Sequence, residues 1–317
     1  MTDTGPLFVS SGDLIADRRY KWALDQAARG DFAAAAEILE QTVALAPVFA
    51  TAWFALGAIR DRLGDVSGAV AAFEKARDAD PDDYHGARLQ LARLGSGEVN
   101  PAMSDAYVRR LFDQYAARYD AALTEHLAYC GPALLREAVD RAMRAAERPP
   151  RFGSMLDLGC GTGLAGPRLR AECNRLVGVD LSPRMLAKAA ERGCYDALVE
   201  ADIPAYLTET SERFDLVFAA DALVYFGELG GFFAAAARVA TPGGIFAFNV
   251  ETTSRAAWIL LPSGRFAHSV EAVLASAAPW FRLLSSQSAF LRVEANERVQ
   301  GELVVLERRQ QRIGRIG

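Results

Sequence analysis

The chain has 317 residues, 51% of them hydrophobic, with a formal net charge of −5. That is length and apolar content enough for two domains with full-sized cores. Residues 1–100 hold 10 Lys and Arg against 15 Asp and Glu, and the remainder holds 25 of each. The longest cationic cluster, at 308–315, reads as a solvated tail and no basic tract stands out, so nucleic-acid partners are disfavoured. Cys130, Cys160, Cys173 and Cys194 show neither C-x-x-C nor Cys/His zinc spacing. No metal site is expected, and the thiols read as reduced in a cytoplasmic protein. Cys160 is a nucleophile by position only and fits better as a small filler residue. No apolar run reaches about 18 residues and the N-terminus lacks a signal peptide, so no membrane partner is expected.

Gly30-Asp31-Phe32 recurs as Gly64-Asp65-Val66, 34 positions later. Ala35 recurs as Ala69, Leu39 as Phe73 and Pro47 as Pro81, while Trp53, Leu56 and Gly57 open the second unit. A period of 34 with Gly-Asp between paired helices resembles the tetratricopeptide repeat. A helix over 13–28 supplies the first half of unit one, with Arg19 where the pattern usually has Trp or Leu. A helix over 84–94 caps the second unit. Residues 1–97 are therefore read as a repeat domain, which recruits a peptide, self-associates, or packs as a rigid appendage. Two units fall below the usual minimum for a stable array, which favours the appendage.

Residues 95–101, Gly-Ser-Gly-Glu-Val-Asn-Pro, form a linker. Ser104 then caps a helix with Tyr107 or Val108, Leu111, Phe112, Tyr115 and Tyr119 on one stripe. A helical cap over 104–149 precedes an α/β core over 150–317, the two making a second domain over 98–317.

Leu156-Asp157-Leu158-Gly159-Cys160-Gly161-Thr162-Gly163 ends an apolar strand and opens a helix over 164–171. Glycine lets backbone approach a ligand and tolerates positive φ. A dinucleotide fingerprint needs its third glycine at 164, where this chain has Leu. Asp157 repels a pyrophosphate and attracts an ammonium group, which suits an amino-acid-bearing ligand. Strands are predicted at 154–158, 175–179, 197–200, 214–219 and 244–250, alternating with helices as in a doubly wound parallel sheet. Two more, at 281–293 and 302–307, form an antiparallel edge hairpin. Ligands of such sheets bind beyond the carboxyl ends of the strands. Asp180 and Asp202 end strands two and three there.

The loop, the acids and the terminal hairpin resemble class I S-adenosylmethionine (SAM)-dependent methyltransferases over about residues 104–308. The whole chain is similar to bacterial members that carry N-terminal tetratricopeptide repeats. The resemblance implies a Rossmann-like seven-stranded domain and SAM as cofactor. It implies that Asp157, Gly159, Gly161 and Gly163 hold the methionine end and that Asp180 takes both ribose hydroxyls. Leu181 and Met185, within Asp-Leu-Ser-Pro-Arg-Met-Leu, would pack on adenine. Asp202 and the Ile203 amide would meet its edge, with Ala219 at the end of strand four. Phe112 to Asp120 resembles a Phe-Asp-x-x-Ala-x-x-Tyr-Asp run, apart from an inserted tyrosine, which makes Tyr119 a carboxylate contact. Met185 and Leu181 read equally as helix core, and Asp202 as a helix cap.

The Asn/Asp-Pro-Pro-Tyr signature of many amide and nucleobase N-methyltransferases is absent after strand four, where the chain has Ala219-Ala220-Asp221-Ala222-Leu223-Val224-Tyr225. Asp221 and Tyr225 are the polar groups nearest the expected methyl. His268 lies in a Pro/Ser/Gly-rich stretch, 261–269, read as a pocket-forming loop. It is the general-base candidate, with Tyr225 as second catalytic candidate. The expected activity is methyl transfer to an O or N nucleophile of a small molecule in preference to a protein. The alternative is a repeat module fused to a SAM-sensing or degenerate domain.

Overall fold

The computed structural model describes residues 8–100, 102–117, 130–294 and 297–310. The chain divides into two units. One comprises residues up to 111 with 262–264, the other 112–261 with 265 onward.

In the N-terminal unit, α1 (Leu14–Ala28), α2 (Phe32–Leu45), α3 (Ala50–Arg62), α4 (Val66–Ala79) and α5 (Ala87–Arg93) follow the predicted repeats. Asp13, Asp31 and Asp65 cap α1, α2 and α4 by accepting amide hydrogens of the first turn. Gly30 and Gly64 end the preceding helices at φ of 86° and 80°, a conformation open to glycine at little cost. Ala16, Ala35, Ala52 and Leu56 are buried between the helices. Gly57 lies under the Phe73 ring, where a Cβ would stand 2.7 Å from a ring carbon. The expected third helix is the shorter α5, whose Leu91 packs with Ala69 and Phe73. α6 (Asp105–Tyr115) follows, with the Ser104 hydroxyl accepting from the Tyr107 amide at 3.3 Å.

The second unit is a mixed sheet covered by helices. After α7 (Gly131–Ala145) come β1 (Phe152–Leu158), α8 (Gly166–Arg170), β2 (Cys173–Asp180), α9 (Pro183–Glu191) and β3 (Ala197–Glu200). Then follow α10 (Ile203–Glu209), β4 (Phe214–Ala219), α11 (Gly230–Val239), β5 (Ala240–Thr252), β6 (Trp258–Leu260) and β7 (Phe266–His268). α12 (Val270–Ala277), β8 (Phe281–Glu294) and β9 (Glu297–Arg308) complete it. The parallel order is β3-β2-β1-β4-β5, with β9 antiparallel to β5 and β8 at the edge. The seven expected strands and their terminal hairpin are present, and β7 and β6 extend the sheet beside β5 to nine strands. β1 lies between β2 and β4, so the order reverses there and opens a crevice at the carboxyl ends.

Two elements correct the expectation. The stretch 261–269 is not a plain loop: β7 ends at His268, pairs β5 in parallel and pairs β6 antiparallel. The helix after the glycine loop is the five-residue α8, shorter than the expected 164–171, because Gly163, Leu164 and Ala165 form a turn. Alternate residues feed two cores. Leu156, Val177, Val217, Phe246 and Phe248 face one side, and Met155, Leu176, Leu216, Phe218 and Ile245 face the other. Both faces are buried, as a parallel sheet requires. Among the described residues, no helix is long and apolar enough to cross a membrane.

Candidate active site

The loop between β1 and α8 is shaped by its glycines. Gly159, Gly161 and Gly163 adopt φ of 66°, 54° and 79°, which side-chain-bearing residues reach only with strain. The Cys160 amide donates to the Val179 carbonyl at 3.0 Å, tying the loop to β2. At Gly159 a Cβ would approach the Ala222 Cβ to 3.0 Å, and Ile203 Cδ1 lies 3.7 Å away. The loop thus presents bare backbone toward the residues after β3 and β4. Cys160 is 7% exposed and burial holds its thiol well above the ordinary range, so it is a filler and not a nucleophile.

Two carboxylates flank this loop. Asp180 ends β2, accepts from the Gly161 amide at 2.8 Å through one oxygen and from the Ser182 amide at 2.9 Å through the other. Each oxygen retains acceptor capacity. Burial pushes its pKa up to about 6 against those hydrogen bonds. Asp157 is 2% exposed and accepts from the Tyr195 hydroxyl at 2.7 Å. Burial pushes it up to about 7, with the Asp180 charge adding and the Tyr195 hydrogen bond opposing. Asp157 therefore sits beneath the loop, held by Tyr195.

The remaining cofactor candidates gather around the same crevice. Leu181 is half-buried and Met185 fully buried. Ser182 caps α9, and its hydroxyl donates to Asp113 at 2.5 Å. Asp113 at the end of α6 also accepts from the Arg184 amide at 3.4 Å, which pins this helix end over the start of α9. Asp202 caps α10 through the Ala205 amide, and Ile203 is buried beside the loop. Ala219 closes β4 with no exposure. Tyr119 lies outside the described residues.

A polar network occupies the carboxyl ends of β4 and β5. Asp221 has φ of 54°, a strained value for a residue with a side chain. Asn249 holds it there: its Oδ1 accepts from the Asp221 amide at 2.9 Å and its Nδ2 donates to Asp221 Oδ1. Arg292 of β8, 1% exposed, donates to Asp221 Oδ2 at 3.3 Å and to Glu251. Burial opposes its charge, but Asp221 and Glu251 outweigh burial and raise its pKa. Arg265 approaches the same Glu251 at 3.6 Å and hydrogen-bonds Tyr225. Tyr225 meets Phe112 edge-on at 5.4 Å. Burial raises its phenol pKa, Asp221 adds to the rise, and Arg265 and Arg292 oppose it.

His268 does not join this network as a free base. It is 2% exposed, and its Nε2 donates to the carbonyls of Phe226 at 2.8 Å and Gly227 at 3.2 Å. Nδ1 is buried with no hydrogen-bond partner. Burial lowers its pKa, so the ring is neutral. The expected loop histidine is a strand residue that fastens the segment after β4. Sequence reasoning missed Tyr195, Asp113, Asn249, Glu251, Arg265 and Arg292, whose partners are distant in the chain. The available signals were a place near predicted strand ends for Tyr195, Asn249, Glu251 and Arg292, the 261–269 stretch for Arg265, and the 112–120 run for Asp113.

Comparisons with known proteins agree with this architecture. Residues 156–248 match a methyltransferase domain and residues 20–84 match the tetratricopeptide repeat. A malonyl-[acyl-carrier protein] O-methyltransferase of Enterobacter lignolyticus is 35% identical over 116 residues, 37% of this chain and 45% of that protein. A trans-aconitate 2-methyltransferase of an Acidovorax species is 30% identical over 167 residues, 47% of this chain and 62% of that one. The chain thus spans less than two thirds of the length of these curated relatives. The 1,6-didemethyltoxoflavin-N1-methyltransferase of Burkholderia thailandensis superposes with a TM-score of 0.50 at 16% identity, covering 67% of this chain and 93% of that one, a likeness of fold. The chain therefore carries a methyltransferase domain over residues 156–248, preceded by tetratricopeptide repeats over residues 20–84.

Proposed function

We propose that the chain is a SAM-dependent methyltransferase whose acceptor is a small molecule bearing a carboxylate. The observation that carries the cofactor assignment is the loop itself: three left-handed glycines between Asp157 and Asp180, opening at the strand-order reversal. These residues fit SAM. Asp180 has acceptor capacity for ribose hydroxyls, half-buried Leu181 next to it would pack on adenine, and the bare loop backbone would take the methionine end. Asp157 acts beneath the loop, as a negative charge and a support. When bound, SAM supplies an activated methyl on a sulfonium. The chain then has to hold the acceptor atom in line, at about 3–3.5 Å from that methyl, which is where most of the rate gain arises.

Two features support a carboxylate acceptor. Arg265, 21% exposed on its side chain, lies with Tyr225 at the carboxyl ends of β4 and β5, and guanidinium matches carboxylate geometry. A carboxylate is also nucleophilic at neutral pH without losing a proton, so it needs no general base. His268, sealed and neutral, and Tyr225, with a raised pKa, are poorly suited to serve as one. Two relatives named for malonyl-carrier and aconitate substrates point the same way. The repeats supply a surface for a protein partner or for self-association.

The test is ligand-induced stabilisation. SAM and S-adenosylhomocysteine should raise the melting temperature and NAD should not, with about 2.7 kcal/mol gained at a hundredfold excess over Kd. No shift with either sulfur nucleotide overturns the assignment. A panel of carboxylic acids and matched amides with labelled SAM then tests the acceptor class.

A further inference from the structure

The cationic cluster that begins at Arg308 is not a solvated tail at its start. Arg308 and Arg309 are fixed to the fold. Arg308 Nη1 donates to the Ala240 carbonyl at 2.7 Å, and Arg309 Nε to the carbonyls of Ala278 at 2.9 Å and Phe281 at 3.0 Å. With Gly243, Arg282, Glu307 and Gln310 they line a cleft of about 440 Å³. It lies where β5 and β8 begin and β9 ends. Along β5 that is about 20 Å from Asn249, at the opposite end of the sheet from the crevice.

The charges in this cleft do not balance. Glu307 is its one carboxylate, and both its oxygens are engaged, one by Arg148 at 2.8 Å and the other by Arg282 at 2.5 Å. Among the described residues, Arg308 and Arg309 donate to carbonyls and pair with no carboxylate. Burial, with a smaller contribution from Arg213 outside the cleft lining, lowers the Arg308 pKa. Residues 308–317 contain no Asp or Glu. Three guanidiniums thus line the cleft beside one acid, which Arg148 also pairs from outside the lining.

We propose that this cleft is a second ligand site, binding a phosphate group as the free ion or as a monoester. Three arginines on separate segments, Arg282 at the start of β8 and Arg308 and Arg309 at the end of β9, line the cleft, and several guanidinium donors suit a dianion with three or more acceptor oxygens. The excess positive charge calls for a dianion. The volume is within the range of small-molecule sites and leaves room for the remainder of an ester. The assignment is independent of the methyl-transfer reading.

The experiment uses the full chain. Inorganic phosphate and glycerol 3-phosphate are titrated at constant ionic strength against chloride, with melting temperature and calorimetric Kd as readouts. Saturable stabilisation is expected, weakened about tenfold or more in Arg309→Gln and in Arg282→Gln, each removing a charge-assisted donor. Arg282 is largely exposed, so its variant keeps the test valid if changes at 309 impair folding. Arg175→Gln, whose guanidinium pairs with Glu212 elsewhere, should bind as wild type. Tighter glycerol 3-phosphate assigns the ester, and equal or tighter phosphate assigns the free ion. Stabilisation that follows ionic strength alone, or is equal in wild type and both cleft variants, overturns the proposal.

Discussion

The Tyr195 hydroxyl donates to Oδ2 of Asp157 at 2.7 Å across 38 residues of chain. The bond joins the end of β1 to the segment between α9 and β3 directly beneath the glycine loop. It opposes the burial that pushes Asp157 up to about 7. An acid that titrates near neutrality under a ligand-binding loop has consequences for stability and for affinity.

Asp157→Asn should change how stability depends on pH. The folded pKa of about 7 lies above the ordinary 3.8, so the folded state holds the proton longer than the unfolded one. The stability tied to that proton is complete below about pH 4 and is lost as pH rises to 7. Wild type should therefore lose ground to the asparagine variant across that window, by on the order of 4 kcal/mol. Asp180 titrates in both proteins, so the difference reports Asp157 together with its coupling to Asp180. Urea unfolding at pH 4.5, 6 and 7.5 measures this, and a constant difference would refute it.

Asp180→Ala should weaken SAM binding by roughly 1.5–3 kcal/mol, the worth of hydrogen bonds to a charged acceptor. In wild type, affinity should rise between pH 5 and 7 as Asp180, at about 6, ionises. The alanine variant should retain only the Asp157 part of that rise. Calorimetry at the two ends of the range separates these outcomes.

His268→Ala should lower stability by about 1–3 kcal/mol, since two backbone carbonyls lose their buried donor. The pKa is depressed below 6.5, so its contribution is present above that value and lost as pH falls. The rate on any acceptor should keep its pH profile. A missing acidic limb in the variant would restore His268 as a base.

Arg292→Met should be a strongly damaging change, at about 3–5 kcal/mol, because it removes the buried cation that Asp221 and Glu251 share and leaves Asp221 to Asn249 and Glu251 to Arg265. Adding Glu251→Gln to that variant should recover part of the loss. A double-mutant cycle with no coupling would show that the pair contributes nothing.

The parts legible in the sequence were those written in short range. The 34-residue period placed α1 to α4 because capping aspartates and helix-ending glycines recur locally. β3 and β4 matched residue for residue because both are apolar runs bounded by turns. Asp180 was legible as the acid that ends the apolar run of strand two. The polar network was invisible because Arg292 reaches Asp221 across 71 residues, and only the β8–β9 hairpin brings them together. His268 was misread because Pro262, Ser263 and Gly264 signal a turn, and the three-residue strands beside them are too short to carry a period.

The Tyr195 ring occupies room that exists because three neighbours lack side chains. A Cβ at Gly163, Gly166 or Gly178 would stand 3.0, 2.8 or 2.9 Å from ring carbons. A methyl at any of these glycines would press on the Tyr195 ring, and Gly166 and Gly178 are closed further by Cys194 Sγ at 2.6 Å and Leu198 Cδ2 at 2.8 Å. A smaller residue at 195 relieves only part of that crowding, and it leaves Asp157 without its Tyr195 donor. A lineage that abandons the tyrosine must therefore also replace the aspartate or supply another hydroxyl. The loop and its support are heritable as a block, and a change seen at one of these sites should be accompanied by change at the others.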